Sequence, residues 1–283
     1  MGLQFCSFAS GSSGNCYLVK TEKTNILVDV GITGKRIVAG LAGQDLNCED
    51  LNGILLTHEH TDHVKSIRMI ARKSKTAGVY GSEGTLNQVR ELVTEDRLFT
   101  MRRAADDSIE DEEGGWISFR IGDITVEPFD LSHDAAEPTG YSLRAEGRQV
   151  TIVTDTGCVT DEIFEHIRMA DLLVLEANHE VNILKMGPYP YPLKQRILGN
   201  EGHLSNETAG EILCRMLDAR RYSGLGEERV PTILLGHLSW ENNTPNQAFL
   251  TVRNILQEHE YYVHRDLELQ VILRDEESQL FEV

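Results

Sequence analysis

Six consecutive residues, His58 to His63, constrain this chain more than any other part of its sequence. They read His-Glu-His-Thr-Asp-His and follow the apolar run Ile54-Leu55-Leu56 after a single intervening residue, Thr57. Burying three imidazoles and a carboxylate so close together is costly when they lack partners. The same groups are the ligands that zinc and similar cations take at catalytic sites. The segment therefore predicts a metal-binding loop after a strand, with a histidine-rich polar loop as the alternative.

Further candidate ligands lie elsewhere in the chain, each after an apolar, strand-like run. Side chains at strand ends converge on one rim of a sheet, so we expect these residues to gather beside the histidine-rich segment. Any one of them alone is more often an ordinary polar residue at a strand end, but their joint occurrence favours a site. The candidates are Asp29, His133, Asp155, Glu176 and His237.

The composition fits one large α/β domain over residues 1–283, or two closely packed halves. No stretch has the length of a membrane span, and the first residues lack the basic and apolar segments of a secretory signal. Five cysteines without a Cys-x-x-Cys pair predict reduced thiols in a cytoplasmic protein. The net charge of −18 argues against bulk attraction to nucleic acid, although a local basic groove is compatible with it.

Short apolar runs alternate with capped helical stretches, which predicts sheets covered by helices in an αββα arrangement. The predicted strands are 3–8, 16–19, 25–28, 53–57, 78–80, 116–121, 124–129, 141–144, 149–154, 172–176, 232–235, 260–264 and 267–273. The predicted helices are 33–41, 63–72, 83–93, 160–168, 206–219 and 246–257.

Two segments are predicted to be irregular. The acidic run 106–113 is interpreted as a solvated surface loop, since it has neither histidine nor calcium-loop spacing. The stretch 186–202 contains Gly-Pro-Tyr-Pro-Tyr-Pro, and its prolines argue against a helix or a central strand. We interpret it as an ordered surface loop, with a substrate-binding rim as the alternative.

The pattern as a whole resembles the metallo-β-lactamase superfamily: an aspartate after the third strand, His-x-His-x-Asp-His, a lone histidine, an aspartate and a last histidine. Three shorter motifs resemble its YycJ/WalJ-like branch, which is related to ribonuclease Z. They are Ser-Gly-Ser-Ser-Gly-Asn at 10–15, Gly-His-Leu-Ser-Asn at 202–206 and Gly-His-Leu-Ser-Trp-Glu-Asn-Asn at 236–243. The resemblance implies an α/β fold over nearly the whole chain, a four-layer αββα sandwich of the metallo-β-lactamase type.

The resemblance also implies two divalent metal ions held side by side. Zinc or manganese would bind such nitrogen and oxygen donors. Asp29 is implied to orient the histidine-rich loop from behind the ligands. The implied ligands are His58, His60 and His133 for the first ion, Asp62, His63 and His237 for the second, and Asp155 between them.

Catalytic roles are implied for Glu176 and His203, which resemble the Glu and His of ribonuclease Z that act on the scissile phosphate or its leaving group. Asp62 is implied to orient the attacking water as well as to bind metal. On the residues alone, His203 could equally be a neighbour of the helix that starts near Asn206. His179 could also approach the site, although a structural role is the favoured interpretation.

The function implied is a dinuclear metallo-hydrolase, a phosphodiesterase or nuclease with 5′-to-3′ exonuclease activity on DNA, with RNA as a further polymer. Lys65, Arg68 and Arg72 share one face of the predicted helix, which could track a phosphate backbone or be a solvated face. The loop 10–15 could cradle a phosphate or form a tight turn. The alternative function is hydrolysis of a thioester, lactone or cyclic phosphodiester; a non-catalytic metal protein is disfavoured. Neither a membrane nor any particular protein partner is predicted.

Overall fold

The computed structural model describes residues 2–104, 114–224 and 229–283, so the predicted acidic loop 106–113 lies outside the described residues. Two seven-stranded mixed sheets form the centre of the fold. The first has the strand order β14-β1-β2-β3-β4-β5-β6, and the second has the order β13-β12-β11-β10-β9-β8-β7. Within the described ranges, no helix is long and apolar enough to cross a membrane.

The first half of the chain builds the first sheet and its helices. Its strands are β1 (Gln4–Ala9), β2 (Cys16–Lys20), β3 (Asn25–Val28), β4 (Gly53–Leu55), β5 (Gly78–Gly81) and β6 (Leu98–Thr100). Its helices are α1 (Gly34–Gly43), α2 (Thr61–Val64), α3 (Ile67–Ser74) and α4 (Glu83–Val89). The last strand of the chain, β14 (Phe281–Glu282), pairs with β1 and so returns to this sheet.

The second half builds the second sheet. Its strands are β7 (Phe119–Ile121), β8 (Ile124–Asp130), β9 (Thr139–Ala145), β10 (Arg148–Val153), β11 (Leu172–Glu176), β12 (Thr232–Gly236) and β13 (Glu268–Val271). Its helices are α5 (Asp161–Met169), α6 (Val181–Met186), α7 (Tyr191–Leu198), α8 (Asn206–Ser223) and α9 (Pro245–Glu258).

The alternation of side chains along each strand creates four layers. Ile26 and Val28 of β3 belong to a buried cluster shared by the two sheets, whereas Leu27 between them belongs to the cluster beneath α1, α3 and α4. In the second sheet, Val174 faces the first sheet, and Leu173 packs in the cluster beneath α5, α8 and α9. The predicted αββα sandwich is therefore confirmed.

Strand direction decides where a site can form. β3, β4 and β5 are parallel in the first sheet, and β10, β11 and β12 are parallel in the second. The loops that leave the carboxyl ends of parallel strands meet at one edge. The histidine-rich segment follows β4, and most of the other predicted site residues end β11 or follow β3, β10 or β12.

Three element predictions differ from the structure. The predicted strand 260–264 is wrong, because Glu260 and His264 have left-handed backbones (φ of 63° and 68°) and form a turn after α9. β6 and β14, two short edge strands, were not predicted. The predicted helix 63–72 is interrupted, because Ser66 turns inward and donates to the carbonyl of Ile32 at 2.6 Å, which separates α2 from α3.

The proline-rich segment also differs from its prediction. We expected no helix in 186–202, but α7 occupies Tyr191–Leu198. Pro190 immediately precedes the helix, and Pro192 lies in its first turn. A proline there costs little, because the first N–H groups of a helix have no intrahelical acceptor. The prolines thus begin this helix instead of preventing it.

Candidate metal centre

The histidine-rich loop is held in place by Asp29, which is fully buried behind it. One carboxylate oxygen of Asp29 accepts from the backbone N–H of Thr57 at 2.9 Å. The other lies 2.9 Å from the Thr57 hydroxyl and 2.7 Å from Nδ1 of His63. Because Nδ1 of His63 donates to this carboxylate, its Nε2 is left as the nitrogen that can bind a cation.

Three imidazoles form the first cluster at the rim. Nε2 of His58 and Nδ1 of His60 are 3.0 Å apart. The ring of His133 lies 5.2 Å from each of the other two rings. Nδ1 of His133 lies 3.2 Å from the carbonyl oxygen of Gly202, so its Nε2 faces the cluster. One nitrogen from each of the three histidines falls within a single small sphere, as a metal ion requires.

A second cluster lies beside the first and consists of Asp62, His63 and His237. Oδ2 of Asp62 is 3.6 Å from Nε2 of His63 and 3.8 Å from Nε2 of His237. Both imidazoles are buried, whereas the carboxylate is partly exposed at the mouth of the site. The second cluster therefore has one face that solvent or a ligand can reach.

Asp155 lies between the two clusters. Its Oδ2 is 3.2 Å from Nε2 of His63, and its Oδ1 is 3.4 Å from Nε2 of His237 and 3.8 Å from Nε2 of His133. Burial alone would raise the pKa of Asp155, but the imidazoles of His237 and His63 hold it well below its usual range. The carboxylate is thus ionised and within reach of both sets of histidines.

The donor set fits divalent cations. Oδ2 of Asp155 and Nε2 of His237 are buried and have no hydrogen-bond partner among the described residues. Buried polar atoms without partners are destabilising, and a cation between them would remove that cost. Burial lowers the pKa of His237, but Asp155, Asp62 and Glu176 raise it to about 10. Without a cation, this carboxylate-rich site therefore favours bound protons, which a metal would displace.

Three of these residues have an unusual backbone. Asp29, Asp155 and His237 have φ angles of 60°, 58° and 52°, each just after the carboxyl end of a parallel strand. Residues other than glycine seldom adopt this left-handed conformation, although Asp and His do so more readily than most. The turn redirects each side chain from the sheet toward the rim.

Glu176, at the end of β11, is enclosed by protein and accepts four hydrogen bonds. Oε1 lies 2.7 Å from Nδ1 of His203 and 2.8 Å from Nδ1 of His237. Oε2 accepts from the backbone N–H groups of Thr156 at 3.1 Å and Leu204 at 3.2 Å. Burial would raise the pKa of Glu176, but the two histidines lower it to about 2. One carboxylate therefore orients both imidazoles.

His203 faces a cavity of about 180 Å³ beside the clusters. Its Nδ1 is occupied by Glu176, so Nε2 is the ring atom available to a bound molecule. Burial lowers the pKa of His203, but Glu176 more than compensates and the pKa is raised. The predicted irregular segment forms one wall of this cavity through Tyr189 and Arg196, which agrees with the alternative interpretation of a rim.

The serine- and glycine-rich loop braces the second cluster, a role that the sequence interpretation missed. The hydroxyl of Ser10 accepts from the backbone N–H of His237 at 2.9 Å. Nδ2 of Asn15 lies 3.0 Å from Nε2 of His63. The N–H of Gly14 donates to the carbonyl of Gly11 at 2.9 Å, so the loop is a tight turn. The motif singled out the loop, but it did not indicate these long-range contacts.

The remaining candidates lie outside the clusters. Arg68 and Arg72 are exposed on α3, whereas Lys65 is exposed in the turn between α2 and α3. His179 is buried, and neither ring nitrogen has a hydrogen-bond partner among the described residues. Its burial lowers its pKa to about 4. The structure therefore brings together the seven predicted ligands, Asp29, Glu176 and His203, but not these four residues.

Comparison with known proteins agrees with this arrangement. A family model described as a beta-lactamase superfamily domain matches residues 24–223. Exodeoxyribonuclease YycJ of Bacillus anthracis is 37% identical over 272 residues, covering 95% of this chain and 95% of that protein. Exodeoxyribonuclease WalJ of Streptococcus pneumoniae is 36% identical over 283 residues, covering 100% of this chain and 99% of that protein. The structure of the short form of human tRNase Z shares the fold with a TM-score of 0.61 at 15% identity, covering 98% of each chain. The resemblance inferred from the sequence motifs is confirmed.

Proposed function

The chain belongs to the metallo-β-lactamase superfamily, and from that membership we propose that it is a metal-dependent phosphodiesterase that removes nucleotides from the 5′ end of DNA. The observation that carries this proposal is the pairing of His203 with Glu176 at 2.7 Å beside the two His/Asp clusters. The exodeoxyribonucleases YycJ and WalJ, which align with nearly the whole chain, support DNA as the substrate. Five free cysteines support a cytoplasmic location.

We assign two divalent ions, zinc or manganese, to the two clusters. When bound, such ions would polarise the phosphodiester and lower the pKa of water toward neutrality. Asp62 is the partly exposed member of its cluster, so its carboxylate can also orient the attacking water. The proposed ligands are His58, His60 and His133 for one ion, Asp62, His63 and His237 for the other, and Asp155 for both.

The chain's own proton chemistry centres on His203. Its raised pKa favours the protonated imidazole, and Nε2 faces the cavity. From there it can donate a proton to the oxygen that leaves the phosphorus atom. Glu176 is surrounded by protein and uses both oxygens internally, so we assign it to orient His203 and His237 and not to touch the substrate.

Hydrolysis of a small molecule is the second candidate function, and the size of the cavity favours it. A volume of about 180 Å³ suits a thioester, a lactone or a cyclic phosphodiester. The net charge of −18 also opposes the approach of a polyanion such as DNA or RNA. The raised pKa of His203 favours the phosphodiester instead, because an alkoxide leaving group needs a proton and this imidazole can supply it.

A time course on end-labelled nucleic acids tests the proposal. We expect metal-stripped protein, re-supplied with zinc or manganese, to release nucleotides stepwise from the 5′ end of DNA. Asp62→Ala should abolish release, whereas Asp161→Ala should not, because the Asp161 side chain is 99% exposed and its ion-pair partner is Arg215, outside the clusters. The same time course on RNA shows whether the protein degrades DNA alone or both nucleic acids. A protein that carries two metals, cleaves no nucleic acid and hydrolyses thioesters or cyclic phosphodiesters would instead support the second candidate.

A further inference from the structure

Trp240 is an exposed tryptophan close to the metal centre, and the proposed mechanism gives it no role. It belongs to the Gly-His-Leu-Ser-Trp motif that follows β12, three residues after His237. Its side chain is 68% exposed. Solvent exposure of so large an apolar surface is unfavourable unless something covers it in the working state.

Arg274 supports one face of this indole. Its guanidinium carbon lies 4.5 Å from the ring centroid. Nη2 of Arg274 is 3.5 Å from the carbonyl oxygen of Ser239, at the limit of a hydrogen bond. Since Arg274 covers one face and most of the ring is still exposed, the opposite face is open. A guanidinium stacked on tryptophan fixes the ring and presents a flat surface.

The serine- and glycine-rich loop leaves room for this arrangement. A Cβ atom at Gly11 would lie 2.2 Å from Cγ of Arg274 and 3.3 Å from the carbonyl oxygen of Leu238. A larger residue at position 11 would therefore force the side chain of Arg274 to shift. The glycine of the motif thus serves the Trp240–Arg274 pair as well as the tight turn.

The pair lies within reach of a strand that occupies the site. Ser239, next to Trp240, lines the same cavity as His203 and Ser12. Three residues of chain span at most about 11 Å, so the Cα atom of Trp240 lies within that distance of the Cα atom of His237. A stacked strand rises about 3.4 Å per nucleotide. The backbone of Trp240 is therefore about three nucleotide steps or fewer from the backbone of His237.

The local charges identify the part of the strand that would bind. Asp275, Glu276 and Glu241 flank the pair, and Arg36 lies 3.4 Å from Asp275. These carboxylates repel a phosphate group, whereas they do not repel the uncharged face of a nucleobase. We propose that Trp240, backed by Arg274, stacks on a base of the single DNA strand held at the metal centre. The inference rests on the proposed nuclease function.

Steady-state kinetics on single-stranded oligothymidylate test it. We expect Trp240→Ala to raise KM at least tenfold, which corresponds to 1.4 kcal/mol, with kcat nearly unchanged. Trp240→Phe, which keeps an aromatic ring, should have a smaller effect. Tyr222→Ala is the matched control: Tyr222 is 90% exposed near the opposite end of α8 from His203. None of the three should alter hydrolysis of bis(p-nitrophenyl) phosphate, which has no base.

Two further measurements isolate stacking from general binding. Replacing the bases near the cleaved end with abasic residues should make wild type and Trp240→Ala equal. The chain has 2 tryptophans, so Trp116→Phe leaves Trp240 as its only one. In that variant a nuclease-resistant phosphorothioate oligothymidylate should quench the fluorescence, and its abasic counterpart should not.

The outcomes separate the inference from the proposed function. If the wild type degrades DNA and the KM of Trp240→Ala stays within twofold of the wild-type KM, the stacking proposal is wrong and the proposed nuclease function is retained. If DNA quenches the fluorescence of Trp240 but is not degraded, while bis(p-nitrophenyl) phosphate is hydrolysed, the stacking proposal is supported and the exonuclease assignment is wrong. If DNA neither quenches the fluorescence of Trp240 nor is cleaved, both the stacking on Trp240 and the exonuclease assignment are wrong.

Discussion

Asp155→Asn is expected to bind one metal ion or none and to hydrolyse substrate about 10³-fold more slowly than the wild type. Asparagine preserves the shape of the side chain but removes the negative charge that faces His63 at 3.2 Å and His237 at 3.4 Å. Metal content per chain, measured by elemental mass spectrometry, and the rate on bis(p-nitrophenyl) phosphate check both parts.

The control for this variant is Asp161→Asn, which makes the same chemical change six residues later on an exposed side chain that lies 3.3 Å from Arg215. We expect it to retain both ions and the full rate. Circular dichroism of both variants establishes that they are folded. An Asp155→Asn protein with two ions and more than a tenth of the wild-type rate would remove Asp155 from the metal centre.

His203→Gln is expected to lower kcat for DNA about 10²- to 10⁴-fold while leaving the metal content unchanged. The reason is that Nδ1 of His203 is committed to Glu176 at 2.7 Å and Nε2 supplies the proton for the leaving oxygen. Because p-nitrophenolate leaves without a proton, the loss on bis(p-nitrophenyl) phosphate should be far smaller. Equal losses on both substrates would contradict a role in protonation.

The pH profile gives a second reading of the same variant. Glu176 raises the pKa of His203 in the folded protein, so the proton it donates is held to a higher pH than on a free imidazole and is lost as the pH rises through the raised pKa. Wild-type kcat should therefore fall on the alkaline side, and His203→Gln should lack this limb. His264→Gln is the control, because His264 makes a similar 2.8 Å contact with Glu268 but is 79% exposed. Its profile should match the wild type.

The sequence was a good guide to the centre of the site for a physical reason. The proposed ligands His58, Asp155 and His237 are polar residues that follow buried strands, and parallel strands bring such positions to one edge. The contacts behind the ligands are different. That Glu176 serves His203 and His237 at once, or that Asn15 reaches His63, depends on distances between segments far apart in the chain. No local pattern encodes those distances.

The fold shows the same division. Strands buried on both faces, such as β3 and β11, were predicted with their observed bounds because their apolar runs are unbroken. The error at 186–202 arose because proline disrupts the interior of a helix but is compatible with its first turn. Pro190 and Pro192 lie at the start of α7, and not in its interior. The predicted strand 260–264 has the composition of a strand, but its backbone reverses direction after α9.

The left-handed backbone at Asp29, Asp155 and His237 has an evolutionary consequence. Glycine adopts this conformation without strain, whereas a residue with a Cβ atom loses about 1–3 kcal/mol there. Selection for thermal stability alone, as in a laboratory screen of unloaded protein, should therefore accept glycine at these three positions and erase the site. The persistence of Asp and His there would then mark a lineage that is still selected for catalysis.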